Sequence, residues 1–118
     1  MSLPTTGNPE LDAAIVRVDE IVQGSPVVLF MKGTPNFPMC GFSARVAQVL
    51  GQVGVPYQAV NVLADAAIRE GVKVYGNWPT IPQLYVDGKL VGGCDITLDM
   101  HQTGELAPLL QRAGSAGA

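Results

Sequence analysis

The chain has 118 residues, 47% of them apolar and only 14% charged, with a formal net charge of −3. That is a globular composition large enough for one domain with its own core, and it is not that of a disordered segment. The absence of a basic tract argues against nucleic-acid binding, which needs clustered Lys and Arg, and no apolar run reaches the ~20 residues of a membrane-spanning helix.

The first ten residues, MSLPTTGNPE, carry neither the basic start nor the apolar stretch of a secretory leader. Cytoplasmic residence, in a reducing compartment, is the expectation for a chain with two unpaired cysteines. Residues 1–9 and 113–118 are expected to be a flexible leader and tail around a domain at 10–112. Leu11, Ala14, Ile15, Val18 and Val22 recur at helical spacing up to Gly24. Val27–Met31 is a short continuous apolar run, as in a strand buried on both faces. A loop with two prolines, Gly33–Pro38, leads to Cys40 and to a helical pattern that stops near Gly54.

Tyr57–Val62 alternates like a strand, and Ile68, Val72 and Tyr75 make a helix face ending at Gly76. Gln83–Val86 and Lys89–Val91 flank Asp87–Gly88, a hairpin signal. From about Asp95 to Gln111 the chain is predicted helical, with a break near Gly104. The order α-β-α-β-α-β-β-α predicts an α/β fold: a four-stranded mixed sheet, with two parallel strands and an antiparallel hairpin, flanked by helices on both faces. That is the thioredoxin-like architecture.

Cys40 stands where a loop becomes a helix. Unpaired N–H groups and the positive end of a helix dipole there stabilise a thiolate, the form that attacks disulfides or ligates metal. Lys32, at the end of the preceding strand, adds positive charge. Position alone leaves a second reading open, a small inert core residue, and the proline-rich approach TPNFPMC favours a presented sulfur. A dithiol oxidoreductase has a second cysteine three residues on, where this chain has Ser43, which reads as an ordinary first-turn hydroxyl.

Four segments, Met31–Pro35, Cys40–Ser43, Asn77–Gln83 and Val91–Ile96, together resemble the monothiol, CGFS-type glutaredoxins, close to the bacterial single-domain members, in order and spacing from about Glu10 to Arg112. The resemblance implies glutathione as a bound ligand. It also implies a [2Fe–2S] cluster bridging two protomers, with Cys40 from each chain and one thiolate from each glutathione completing the four such a cluster takes. The implied function is cluster assembly, transfer to acceptor apoproteins and iron homeostasis, with a homodimer when loaded and a BolA-like protein as a further partner. The alternative is a glutathione-dependent thiol–disulfide oxidoreductase removing glutathione from proteins, an activity the resemblance implies is weak.

By the same resemblance Pro82 is cis and the backbone of Ile81, within Thr80–Ile81–Pro82, pairs with the cysteinyl unit of glutathione. The same residues also suit an ordinary strand start. Lys32, Arg69 and Lys73 align with positions near the glycine carboxylate, although Arg69 and Lys73, four apart on a helix, also fit a solvated face. Gly92 and Gly93 let backbone approach a ligand. The N–H groups of Cys94 and Asp95 would receive the γ-glutamyl carboxylate and Asp95 its ammonium, a role compatible with a plain N-cap. Cys94 is otherwise inert or a partner for a slow disulfide with Cys40. Phe42 reads as core more than as a dimer surface, Trp78 as a support for the Thr80–Pro82 loop, and His101 as a surface residue more than a ligand.

Overall fold

A computed structural model describes residues 3–115; residues 1–2 and 116–118, the ends of the expected leader and tail, lie outside the described residues. Helix α1 runs Pro9–Gly24. It takes in the last residue of the expected leader because the side chain of Asn8 caps the N–H groups of Glu10 and Leu11, and Pro9 fits the first turn, where its missing N–H costs nothing. Strand β1 (Val27–Met31) is buried throughout. Helix α2 (Gly41–Val53) ends at Gly54, which takes the left-handed conformation (φ +81°) that closes many helices.

Strand β2 (Gln58–Asn61) is shorter than the alternation suggests. The side chain of Asn61 accepts the N–H of Leu63 and turns Val62–Ala64 into a single 3₁₀ turn. Helix α3 (Ala66–Tyr75) is capped by Asp65. Strands β3 (Gln83–Val86) and β4 (Lys89–Gly92) form the expected hairpin over Asp87–Gly88, both with positive φ. The terminal helical segment divides at Gly104 into α4 (Cys94–Thr103) and α5 (Leu106–Arg112).

The strands order β2-β1-β3-β4, with β1 and β2 parallel and β3 antiparallel to both β1 and β4. This is the expected thioredoxin-like arrangement. Alternate residues of β1 serve opposite cores, as the period of a strand requires. Val27, Leu29 and Met31 join Val46, Leu50, Leu106 and Leu110 under α2, α4 and α5. Val28 and Phe30 join Val18, Val22, Ile68 and Val72 under α1 and α3. Phe30 meets Tyr85 edge to face, with ring centroids 5.7 Å apart. Because the sheet is covered on both faces, its open C-terminal end at Met31 and its β3 start at Gln83 are where a cleft forms. Among the described residues no helix is long and apolar enough to cross a membrane.

Candidate functional site

Strand β1 ends at Met31, and the next residues must turn back to start α2. Gly33 makes this possible with φ +87°, and a Cβ there would lie 2.7 Å from the Met39 nitrogen and collide with the Phe37 carbonyl. Thr34 and Phe37 exchange backbone hydrogen bonds (3.2 and 3.0 Å), and Met39 N–H donates to the Lys32 carbonyl at 2.9 Å. The result is a closed loop that delivers Cys40 to the N-cap of α2 in extended conformation.

The Cys40 thiol makes no closed capping hydrogen bond, but the unpaired N–H groups of the first turn face it. The Ser43 N–H is the strongest influence holding its pKa below the ordinary thiol range; partial burial opposes it, and the Phe42 N–H, the Ser43 hydroxyl and the Lys32 charge add to the lowering. Ser43 is fully buried, and its Oγ accepts the Lys32 N–H at 3.1 Å. This role was not legible as a first-turn hydroxyl: the partner lies eleven residues back, in another element. Cys94 is buried and free. Burial first, then the neighbouring Asp95 carboxylate, pushes its thiol up, so the two cysteines are electrostatically unlike.

Opposite Cys40, the Ile81–Pro82 bond is cis. Ile81 and Pro82 lie beyond Gln83, the last residue of β3 to pair with β1, so their backbone stands outside the sheet ladder. Gly93 precedes α4, and a Cβ on it would lie 3.2 Å from Trp78 Nε1 and 3.3 Å from the Pro82 carbonyl oxygen. A side chain at residue 93 would therefore press on the Trp78–Pro82 loop, which would have to give by a few tenths of an ångström.

These elements enclose one cleft of about 500 Å³. Cys40, Lys32, Arg69, Lys73, Thr80, Ile81, Pro82, Gly93, Cys94 and Asp95, all expected at the site, line it; Gly92, expected beside Gly93, does not, and its missing side chain makes room for Ile96 instead. Three of the chain's seven Lys and Arg residues therefore converge on one opening of a net-negative protein. Arg69 Nε is buried without a partner, whereas Lys73 is paired with Glu70 at 3.2 Å. Among the described residues no group of three His, Cys, Asp or Glu side chains is arranged to hold a metal ion.

The structure corrects one reading. Phe42 is not core: it is 56% exposed and lines the cleft beside Cys40, because residue 42 falls on the outer side of α2's first turn while Ser43 points inward. Trp78, Pro79 and Ile96 also line the cleft. Trp78, expected to support the Thr80–Pro82 loop, lies beside Gly93. His101 stays outside, with Nε2 3.2 Å from Gln52 Oε1 on the α2–α4 surface.

A glutaredoxin family model matches residues 27–91. The chain is 51% identical to a ycf64-like monothiol glutaredoxin of Synechocystis, over 90% of this chain and 96% of that protein. It is 58% identical to the mitochondrial monothiol glutaredoxin-5 of Lachancea kluyveri, over 81% of this chain and 69% of that one. Among solved structures, the buckwheat glutaredoxin–glutathione complex superposes with a TM-score of 0.80 at 29% identity, covering 94% of this chain and 97% of that one.

Proposed function

The chain belongs to the monothiol glutaredoxins, and on that premise we propose that it binds glutathione in the Cys40 cleft and uses Cys40 to carry a [2Fe–2S] cluster between two protomers. The observation that carries this reading is the convergence on one cleft of Cys40, whose thiol pKa is lowered by the first-turn N–H groups, three cations and a stretch of backbone outside the sheet ladder.

Glutathione is a short extended peptide with two carboxylates and one ammonium. The backbone of Ile81 offers strand-like pairing to its cysteinyl unit. Lys32 and Arg69 meet the glycine carboxylate, and Lys73 contributes less because Glu70 already neutralises it. At the other end, the first-turn N–H groups of α4 at Cys94 and Asp95 receive the γ-glutamyl carboxylate, and the exposed Asp95 carboxylate takes the ammonium.

The cluster is cargo, and the donor set fits it in one way. A [2Fe–2S] cluster takes four thiolates, and one chain presents a single low-pKa thiol at its surface. Two chains contribute Cys40 twice, and two bound glutathiones contribute the rest. Phe37, Met39 and Phe42, exposed around Cys40, form an apolar rim against which a second protomer would close. A BolA-like partner or an acceptor apoprotein would meet the same face.

The thiolate beside a glutathione cleft also supports a second reading, removal of glutathione from protein mixed disulfides. Cys40 sulfur attacks the glutathione sulfur, the protein thiolate leaves, and a second glutathione thiolate then attacks the Cys40–glutathione disulfide and regenerates Cys40. Anaerobic reconstitution with iron, sulfide and glutathione, followed by absorption spectroscopy and sizing, tests the carrier reading. A coloured dimer that needs both Cys40 and glutathione supports it, and a cluster formed without added thiol overturns it.

A further inference from the structure

Gln83 is a polar side chain with no exposure to solvent, at the start of the central strand β3. Such a residue is costly in a core unless each of its polar atoms is paired. Here they are. Nε2 donates to the carbonyl of Trp78 at 2.9 Å and to that of Thr80 at 3.3 Å. Oε1 accepts the hydroxyl proton of Tyr85 at 2.8 Å. Two carbonyls can only accept, so they require the amide nitrogen on their side and leave the oxygen to Tyr85.

The two carbonyls belong to the segment that forms the wall of the cleft opposite Cys40. That wall has few other ties. The Trp78 N–H donates to the Lys73 carbonyl at 3.0 Å, but Thr80 and Ile81 stand outside the sheet ladder. Behind Gln83 the support is rigid: Tyr85 is buried, packed against Phe30 and 5.8 Å from the ring of Tyr75. Gly76 closes the arrangement from α3. A Cβ on it would collide with the Tyr85 hydroxyl and lie 2.9 Å from Gln83 Oε1. Its backbone, at φ −86°, is one any residue adopts, so glycine is required there for space.

We infer that Gln83 is a positioning residue for the glutathione site: its buried amide clamps the Trp78 and Thr80 carbonyls and so sets where the Ile81 backbone meets the ligand. Gln83 does not line the cleft and acts only through the loop. The inference rests on the proposed glutathione site, and the test separates the two.

Trp78 is the only tryptophan in the chain and lines the cleft, so its emission reports on the loop directly. Reduced glutathione is titrated into wild type, Gln83→Leu and Tyr85→Phe, with thermal stability measured for each. Tyr85→Phe removes the support behind the amide but keeps both loop bonds, and serves as the stability control. The expected result is that Gln83→Leu weakens glutathione binding by about 10-fold or more and shifts the unliganded Trp78 emission and the Ile81 amide resonance. Tyr85→Phe should lose stability with less than a 3-fold change in binding and no such shifts. Equal binding losses in the two variants, in proportion to stability, would reduce Gln83 to a core residue and overturn the inference, as would wild-type loop signals in a folded Gln83→Leu. If Gln83→Leu does not fold, Gln83→Met, closer to Gln in length, removes the same two N–H donors to the Trp78 and Thr80 carbonyls and should shift Trp78 and Ile81 in the same sense; wild-type signals there count against the clamp. If wild type itself binds no glutathione, the proposed site fails, and the unliganded loop signals still decide the role of Gln83.

Discussion

Ser43 Oγ accepts the backbone N–H of Lys32 at 3.1 Å, fastening the first turn of α2 to the end of β1 across the loop that carries Cys40. With its lone pair engaged by Lys32, the hydroxyl has its proton available for the Cys40 sulfur. One buried side chain therefore fixes the geometry of the site and favours its thiolate. Ser43→Ala leaves the Lys32 N–H without a partner, which costs about 1–3 kcal/mol for a buried donor. It should also raise the Cys40 pKa. Chemical denaturation and thiolate absorbance near neutral pH measure the two effects, and an unchanged Cys40 titration would show that the hydroxyl serves the fold alone.

Cys40 and Cys94 should titrate apart. Folding lowers the Cys40 pKa and raises that of Cys94. The Cys40 contribution to stability is therefore fully present above the unfolded thiol value of about 8.5 and is lost as pH falls through the native value. The Cys94 contribution runs the other way: it is present below about 8.5 and is lost as pH rises through its native value. Iodoacetamide alkylation followed by mass spectrometry should label Cys40 first at pH 7. Preferential labelling of Cys94 would contradict this electrostatic picture.

Arg69→Ala should weaken glutathione binding by about 1.5–3 kcal/mol, the range for a hydrogen bond to a charged group, while Cys94→Ser should leave the cluster largely intact. Arg69 presents a buried Nε without a partner, whereas Lys73 is already paired with Glu70, so Lys73→Ala should cost less than Arg69→Ala. High salt should reduce the affinity of wild type. Loss of the cluster in Cys94→Ser with no change in Arg69→Ala would make Cys94 the missing ligand.

Gly33→Ala should disrupt the approach to Cys40. The residue sits at φ +87°, and its added methyl would meet the Phe37 carbonyl and the Met39 nitrogen. Strained backbone of this kind costs about 1–3 kcal/mol, and the loop, rather than the core, would yield. A lower melting temperature with slower Cys40 alkylation is the expected pair of results; wild-type values for both would show that the loop adapts freely.

Turnover on a small glutathione mixed disulfide should be slow, because residue 43 carries no sulfur to resolve the Cys40–glutathione disulfide. Ser43→Cys places one there but also gives up the buried acceptor for Lys32, so it should raise turnover and lower stability together. Fast wild-type turnover without transfer of a cluster to an apo-ferredoxin would favour the reductase reading over the carrier.

The order of elements and the mixed sheet were legible along the chain. Each rests on local signals: a five-residue apolar run at Val27–Met31, an Asp87–Gly88 turn, a proline-rich approach to Cys40, and Gly54 and Gly104 as helix stops. The cleft residues came from the family resemblance, since Lys32, Arg69 and Asp95 lie far apart in sequence and no periodicity joins them.

What the tertiary structure alone decided are the pairings at a distance. Phe42 and Ser43 are neighbours in one helical turn, and only the packing of α2 on the sheet exposes the first and buries the second. Gln83 looks like one more residue of a short strand, and its value becomes visible only when Trp78, Thr80 and Tyr85 gather around its amide. Gly76 reads as a helix stop, yet its lack of a side chain makes room for a hydroxyl from another element. Local sequence encodes backbone preference and periodicity; which polar atom satisfies which depends on chain segments that meet only after folding.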